Sequence, residues 1–170
     1  MAEEPCHRPG STETSYAADF LRFYRATVTE KCRALPVSEL RRPRLPSRWT
    51  PLELLSHLAH MEQRWFVWGF LGEQVEAPWG DNRNSEPDAA WSVPSDRTLS
   101  EVVEFLHAVA ARTEEILAGH RPEEIASTGG RFDEDPPELR WICLHVLQEY
   151  ARHAGHLDVV VELAGGPTGE

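Results

Sequence analysis

The chain of 170 residues sets 17 Lys and Arg against 28 Asp and Glu, a formal charge of −11, with 41% hydrophobic and 26% charged residues. That length and balance fit one folded domain with its own core and exclude a disordered chain. The cations are scattered, with no basic run beyond the Arg41-Arg42 pair. This excludes a nucleic-acid partner, which needs clustered cations to displace counterions from phosphates.

In chain order, a polar leader over 1–14 precedes a single domain over 15–165 and a short tail over 166–170. The first helix is predicted from about Ser15 to Leu35, where Leu21, Tyr24, Val28, Cys32 and Leu35 recur at spacings of three and four. Pro36 stops it, and a Pro- and Arg-rich loop runs on to Trp49. The second helix has a defined start: Thr50 caps it, Pro51 suits its first position, and Glu53 completes a capping box. It continues to Gly72, a natural C-terminal stop. The third opens with the box Thr98 to Glu101 and ends at Gly119. The fourth is expected to take Asp135 as its cap and Pro136-Pro137-Glu138 as its first turn, running from Leu139 to Ala164 before Gly165-Gly166.

No segment reads as a strand, so the fold class is all-α, a four-helix bundle. The connections 73–97 and 120–134 exceed ordinary bundle loops. The first carries Trp79 and Trp91, which either wall a binding site or cover the end of the core. Cys6, Cys32 and Cys143 form no CxxC pair or disulfide framework, which points to a reducing cytoplasm, and Cys143 falls on an apolar stripe as an inert buried thiol. There is neither a secretory signal nor a run of roughly 20 apolar residues that could cross a bilayer.

The chemistry concentrates on the fourth helix. At about 100° per residue, His145, Glu149, His153 and His156 share a stripe about 80° wide that borders the apolar face. Polar groups at a core edge must be paired, hydrogen-bonded or metal-bound. Glu149 and His153, four apart, can reach one cation or form a plain ion pair. A third ligand from the second helix would complete a site with open positions. His57 shares a face with Leu54, Met61 and Trp65 and should point inward, whereas His60 lies about 60° round, in line with Ser56 and Arg64. His57 is therefore the expected third ligand. His145 and His156 either orient the ligands or are solvated. Arg64 and Arg152 either bind an anionic group or stand in solvent, and Glu62 is expected to pair with an Arg on a neighbouring helix.

The stretch Trp49-Thr50-Pro51-Leu52-Glu53-Leu54-Leu55-Ser56-His57-Leu58 resembles the second-helix motif of the DinB/YfiT-like metalloprotein superfamily. The run Glu149-Tyr150-Ala151-Arg152-His153-Ala154-Gly155-His156 resembles its fourth-helix motif. The resemblance covers roughly residues 15–165. It implies a four-helix bundle holding a divalent metal through one second-helix ligand and two fourth-helix ligands four residues apart. Carried onto this chain, these are His57, Glu149 and His153. Separately from the resemblance, His60, His145, Arg152, His156 and Trp65 are expected as pocket or supporting residues beside them. The combination of two His and a Glu resembles the branch containing mycothiol-dependent maleylpyruvate isomerase. EYARHAGHLD and the loop after LGEQ resemble an actinobacterial branch of DinB-family or mini-circle proteins.

This resemblance implies a thiol S-transferase using a low-molecular-weight thiol, mycothiol or bacillithiol, together with a small electrophilic substrate. Zinc best suits the ligand set, with nickel, iron or manganese as alternatives. The competing readings are a non-catalytic metal-binding bundle and a metal-dependent hydrolase. A homodimer is expected, because such bundles often leave an apolar face for a partner and related proteins are frequently dimers.

Overall fold

The computed structural model describes residues 4–76 and 91–166. Its helices are α1 (Glu13–Ala34), the single turn α2 (Val37–Leu40), α3 (Pro51–Gln63) continuing into a π-helical segment Arg64–Phe70, α4 (Leu99–Gly119) and α5 (Leu139–Leu163). Among the described residues there is no β-strand, only the isolated bridges Ile125–Glu138 and Thr128–Phe132. Around the bundle the long helices follow the order α1, α5, α3, α4, so that α3 and α5 are direct neighbours. Leu21 and Val28 of α1, Leu54 and Leu58 of α3, Leu106 of α4 and Val146 and Leu157 of α5 meet in one core from which solvent is excluded. No helix of the described residues is long and apolar enough to cross a membrane.

Local chemistry fixes most helix ends. The Thr50 hydroxyl accepts from the Glu53 amide at 3.3 Å while the Glu53 carboxylate accepts from the Thr50 amide at 2.8 Å. Thr98 and Glu101 repeat the box at α4. α1 starts at Glu13, two residues before the expected Ser15, because the Thr12 hydroxyl receives the Ser15 amide at 3.2 Å. It ends before Pro36, whose ring disfavours helical geometry in the residue ahead of it.

Two expectations are corrected. The second helix does not run as a regular α-helix to Gly72: its last part widens into the π-helical Arg64–Phe70. The 120–134 loop docks against that part, where the Phe70 and Trp68 carbonyls accept the Ser127 amide at 2.8 Å and the Arg131 amide at 3.2 Å. The approach needs glycine, since a Cβ on Gly130 would stand 2.2 Å from the Trp68 carbonyl oxygen.

Asp135, in turn, does not cap the fourth helix. It adopts a positive φ of 49°, and the helix begins at Leu139 behind Glu138 with no side-chain cap. The loop's own backbone substitutes, as the carbonyls of Glu124 and Pro122 accept the Leu139 and Arg140 amides, each at 2.9 Å.

The interior also holds a polar knot. Glu62 of α3, with no solvent exposure, accepts from Arg25 Nε and Nη2 of α1 at 3.0 and 2.5 Å. It also accepts from the Thr113 hydroxyl of α4 at 2.5 Å and the Tyr150 hydroxyl of α5 at 2.7 Å. One carboxylate thus ties all four long helices. The expected Glu62–Arg pair is present, with Arg25 as the partner. Burial lowers the Arg25 pKa, but the Glu62 carboxylate more than offsets this and holds it above its ordinary value. Burial keeps the Tyr150 hydroxyl protonated, well above the usual tyrosine range.

Candidate metal centre

Glu149, the residue before Tyr150 on α5, stands at the α3–α5 seam. There, His57, Glu149 and His153 each present one ligand atom, and the three atoms lie within 4.8 Å of one another. His57 and His153 are buried and Glu149 is half-buried. The Glu149 carboxylate accepts from His153 Nε2 at 3.3 Å.

The donor set fits a divalent cation. Ligands about 2.1 Å from a tetrahedral metal stand roughly 3.4 Å apart. The Glu149–His153 pair already has about that spacing, at 3.3 Å, with a His57 nitrogen within 4.8 Å of both. Burial above all, with the charges of His153 and Arg64, pushes the His57 pKa down to about 3, so its imidazole stays neutral and can donate a lone pair. The His153 hydrogen bond, reinforced by neighbouring imidazoles, holds Glu149 below the usual carboxylate range and so anionic.

The flanking residues divide. His156 Nδ1 lies 3.4 Å from His153 Nδ1, and its ring tilts toward Trp49 at a centroid distance of 6.2 Å. His145, one turn before Glu149, packs against Trp65 at 4.1 Å and lies nearly parallel to Trp141 at 5.3 Å. Trp65 therefore supports His145 at the edge of the site. His60 turns toward α4, with its Nδ1 2.8 Å from the Ser56 carbonyl and its ring 4.6 Å from Phe105, so it lies apart from the cluster. Arg152 is exposed. Arg64 is not a solvated surface arginine: it is buried, with 5% of its surface exposed, and its charge adds to the larger effect of burial in lowering the His57 and His60 pKa values.

Trp91 has a closer role than the sequence assigned to it. Its indole stacks on His57 at 3.9 Å and 17° and meets His153 edge-on at 5.3 Å. The only signal in the sequence was a tryptophan in a long connection. Trp79, expected beside it, lies outside the described residues. Cys32 and Cys143 are buried, as expected of structural thiols, and burial pushes the pKa of each up to about 12.

The molecule is an all-helical bundle with two buried histidines and a half-buried carboxylate gathered at the seam of two helices, a group that could hold a metal ion. Residues 17–166 match the family model of mycothiol-S-transferase, and the chain belongs to that family. Comparison with curated proteins and with solved structures returned no match.

Proposed function

We propose that this protein is a divalent-metal-dependent thiol S-transferase that joins mycothiol, or a bacillithiol-type thiol, to a small electrophile in the cytoplasm. The observation that carries the reading is the convergence of His57 with Glu149 and His153 in a member of the mycothiol-S-transferase family. Zinc suits two imidazoles and a carboxylate best, and nickel, iron and manganese also accept such donors. A second copy of the chain completes the proposed set of partners, and sedimentation would read it.

A divalent cation held there supplies the charge that deprotonates a thiol whose ordinary pKa is about 8.5. The protein's share is to set the charge and dryness of that place. His57, kept neutral, and Glu149, kept anionic, balance only part of a divalent charge and leave a net attraction for a thiolate. The buried Arg64 adds to it. Three protein ligands leave coordination positions for the cosubstrate. The indole of Trp91 covers the imidazole of His57 and keeps water that would compete with sulfur from that face. In the transfer, sulfur forms the new bond to the electrophilic carbon. The departing group, or the opened π bond of an acceptor, takes the displaced electron pair, and the thiol proton goes to solvent.

Conjugation of an electrophile panel with mycothiol tests this. Turnover should depend on added zinc, stop with a chelator and disappear in His57→Ala. A cation bound without thiol turnover across the panel would favour a structural metal. Ester or amide cleavage without thiol would favour a hydrolase.

A further inference from the structure

The segment leading into α4 bears directly on the cluster. It is fixed at its C-terminal end by the Thr98–Glu101 capping box. In its middle it is held by Arg41, just beyond α2, whose guanidinium donates to the carbonyls of Val93 at 3.3 Å, Pro94 at 2.9 Å and Arg97 at 2.5 Å. A turn closed by the Arg97 amide on the Pro94 carbonyl at 3.0 Å stiffens it further, and Val93 packs against the core. Trp91 is two residues from this anchored stretch, and its ring covers the face of His57.

An imidazole rotates about its terminal torsion with only a broad, two-fold preference. A ligand histidine must therefore be oriented by what surrounds it, most often by a hydrogen bond at its second nitrogen. Stacking does this by another route. The indole holds the plane of the ring while the nitrogen lone pairs, which lie in that plane, stay directed sideways. Here the plane is also fixed against His153, whose ring stands 5.0 Å away at 73°.

Resting on the metal-site reading above, we propose that Trp91 is a positioning residue for the metal centre. In this role it locks the His57 imidazole in its ligating orientation and shields it from water. Arg41 is the remote anchor that keeps Trp91 in place. Neither residue supplies a ligand atom. Both set how tightly the cation is held and how far its free positions are protected.

Cobalt(II) binding to the full-length protein tests this, with affinity measured against a competing chelator, tryptophan fluorescence followed in parallel and the cation-free melting temperature recorded for each variant. Trp91→Ala should weaken cobalt binding by roughly 10–100-fold, the range for groups packed behind ligands. Trp91→Phe, which keeps a ring on the imidazole, should recover most of that loss while removing part of the cobalt-dependent quenching seen in the wild type. Arg41→Ala should shift affinity the same way by less, and Arg41→Lys should not restore it, because one ammonium cannot span three carbonyls. Wild-type cobalt affinity in Trp91→Ala would overturn this inference alone. Absence of cobalt binding by the wild type would overturn it together with the metal reading. A loss that merely tracks the cation-free melting temperature across the variants would make Trp91 a packing residue and also overturn it.

Discussion

Replacing Glu62 by Ala would remove the carboxylate on which Arg25, Thr113 and Tyr150 converge. What remains is a guanidinium with 6% of its surface exposed, in an interior that cannot solvate it. Stranding one member of a buried ion pair costs about 3–5 kcal/mol. The Glu114 carboxylate, 3.7 Å from Arg25 Nη1 and partly in solvent, offsets some of this, which places the expected loss near the lower end, about 3 kcal/mol. For a domain of this size that is a fall in melting temperature of about 6–12 °C. Thermal and urea unfolding of the cation-free protein would measure it. The companion Tyr150→Phe removes only one hydrogen bond to a charged group and should cost about 1.5–3 kcal/mol. A Glu62→Ala protein within about 1 kcal/mol of the wild type would refute the view that this carboxylate holds the four helices in register.

Gly130→Ala would place a methyl group 2.2 Å from the Trp68 carbonyl and 2.7 Å from the Gly72 Cα, where only backbone could yield. It should cost about 1–3 kcal/mol in urea unfolding, and an unchanged midpoint would contradict the close docking of the 120–134 loop. Among the thiols, only Cys6 is exposed, whereas Cys32 and Cys143 are buried with pKa values pushed up to about 12. Mass spectrometry after brief native alkylation at pH 8 should find a single adduct, at Cys6, and all three in denaturant. A second fast-reacting thiol would refute the packing of α1 or α5.

Helix periodicity and capping chemistry made the bundle legible in advance. Thr50 with Glu53 and Thr98 with Glu101 mark their helix starts by short-range hydrogen bonds that depend on nothing else in the fold. The i,i+4 spacing of Glu149 and His153, with the inward phase of His57, carried the candidate site for the same reason. What stayed hidden depends on distant partners. The Asp135 cap fails because loop carbonyls reach the first α5 amides, a backbone arrangement that residue types do not encode locally. The π-helical Arg64–Phe70 has no composition signal, and the apolar run from Trp65 to Phe70 reads equally well as α-helix. Arg64 stays undecided between an anion-binding and a solvated role, because helical phase alone does not register how deeply its segment is enclosed. Trp91 meets His57 from a segment that Arg41, fifty residues earlier in the chain, contacts through the carbonyls of Val93, Pro94 and Arg97, a pairing that no local sequence signal announces.

In the proposed function, His57, Glu149 and His153 grip one divalent cation and leave it accessible to a thiol. The most direct test of this is the visible and near-ultraviolet spectrum of the cobalt(II)-loaded protein, titrated with mycothiol. The titration should show one cobalt per chain, a low-symmetry ligand-field spectrum, and a new sulfur-to-cobalt charge-transfer band that saturates with thiol and is absent from His57→Ala and His153→Ala. A spectrum indifferent to thiol, or cobalt retained unchanged by both variants, would contradict the proposed function.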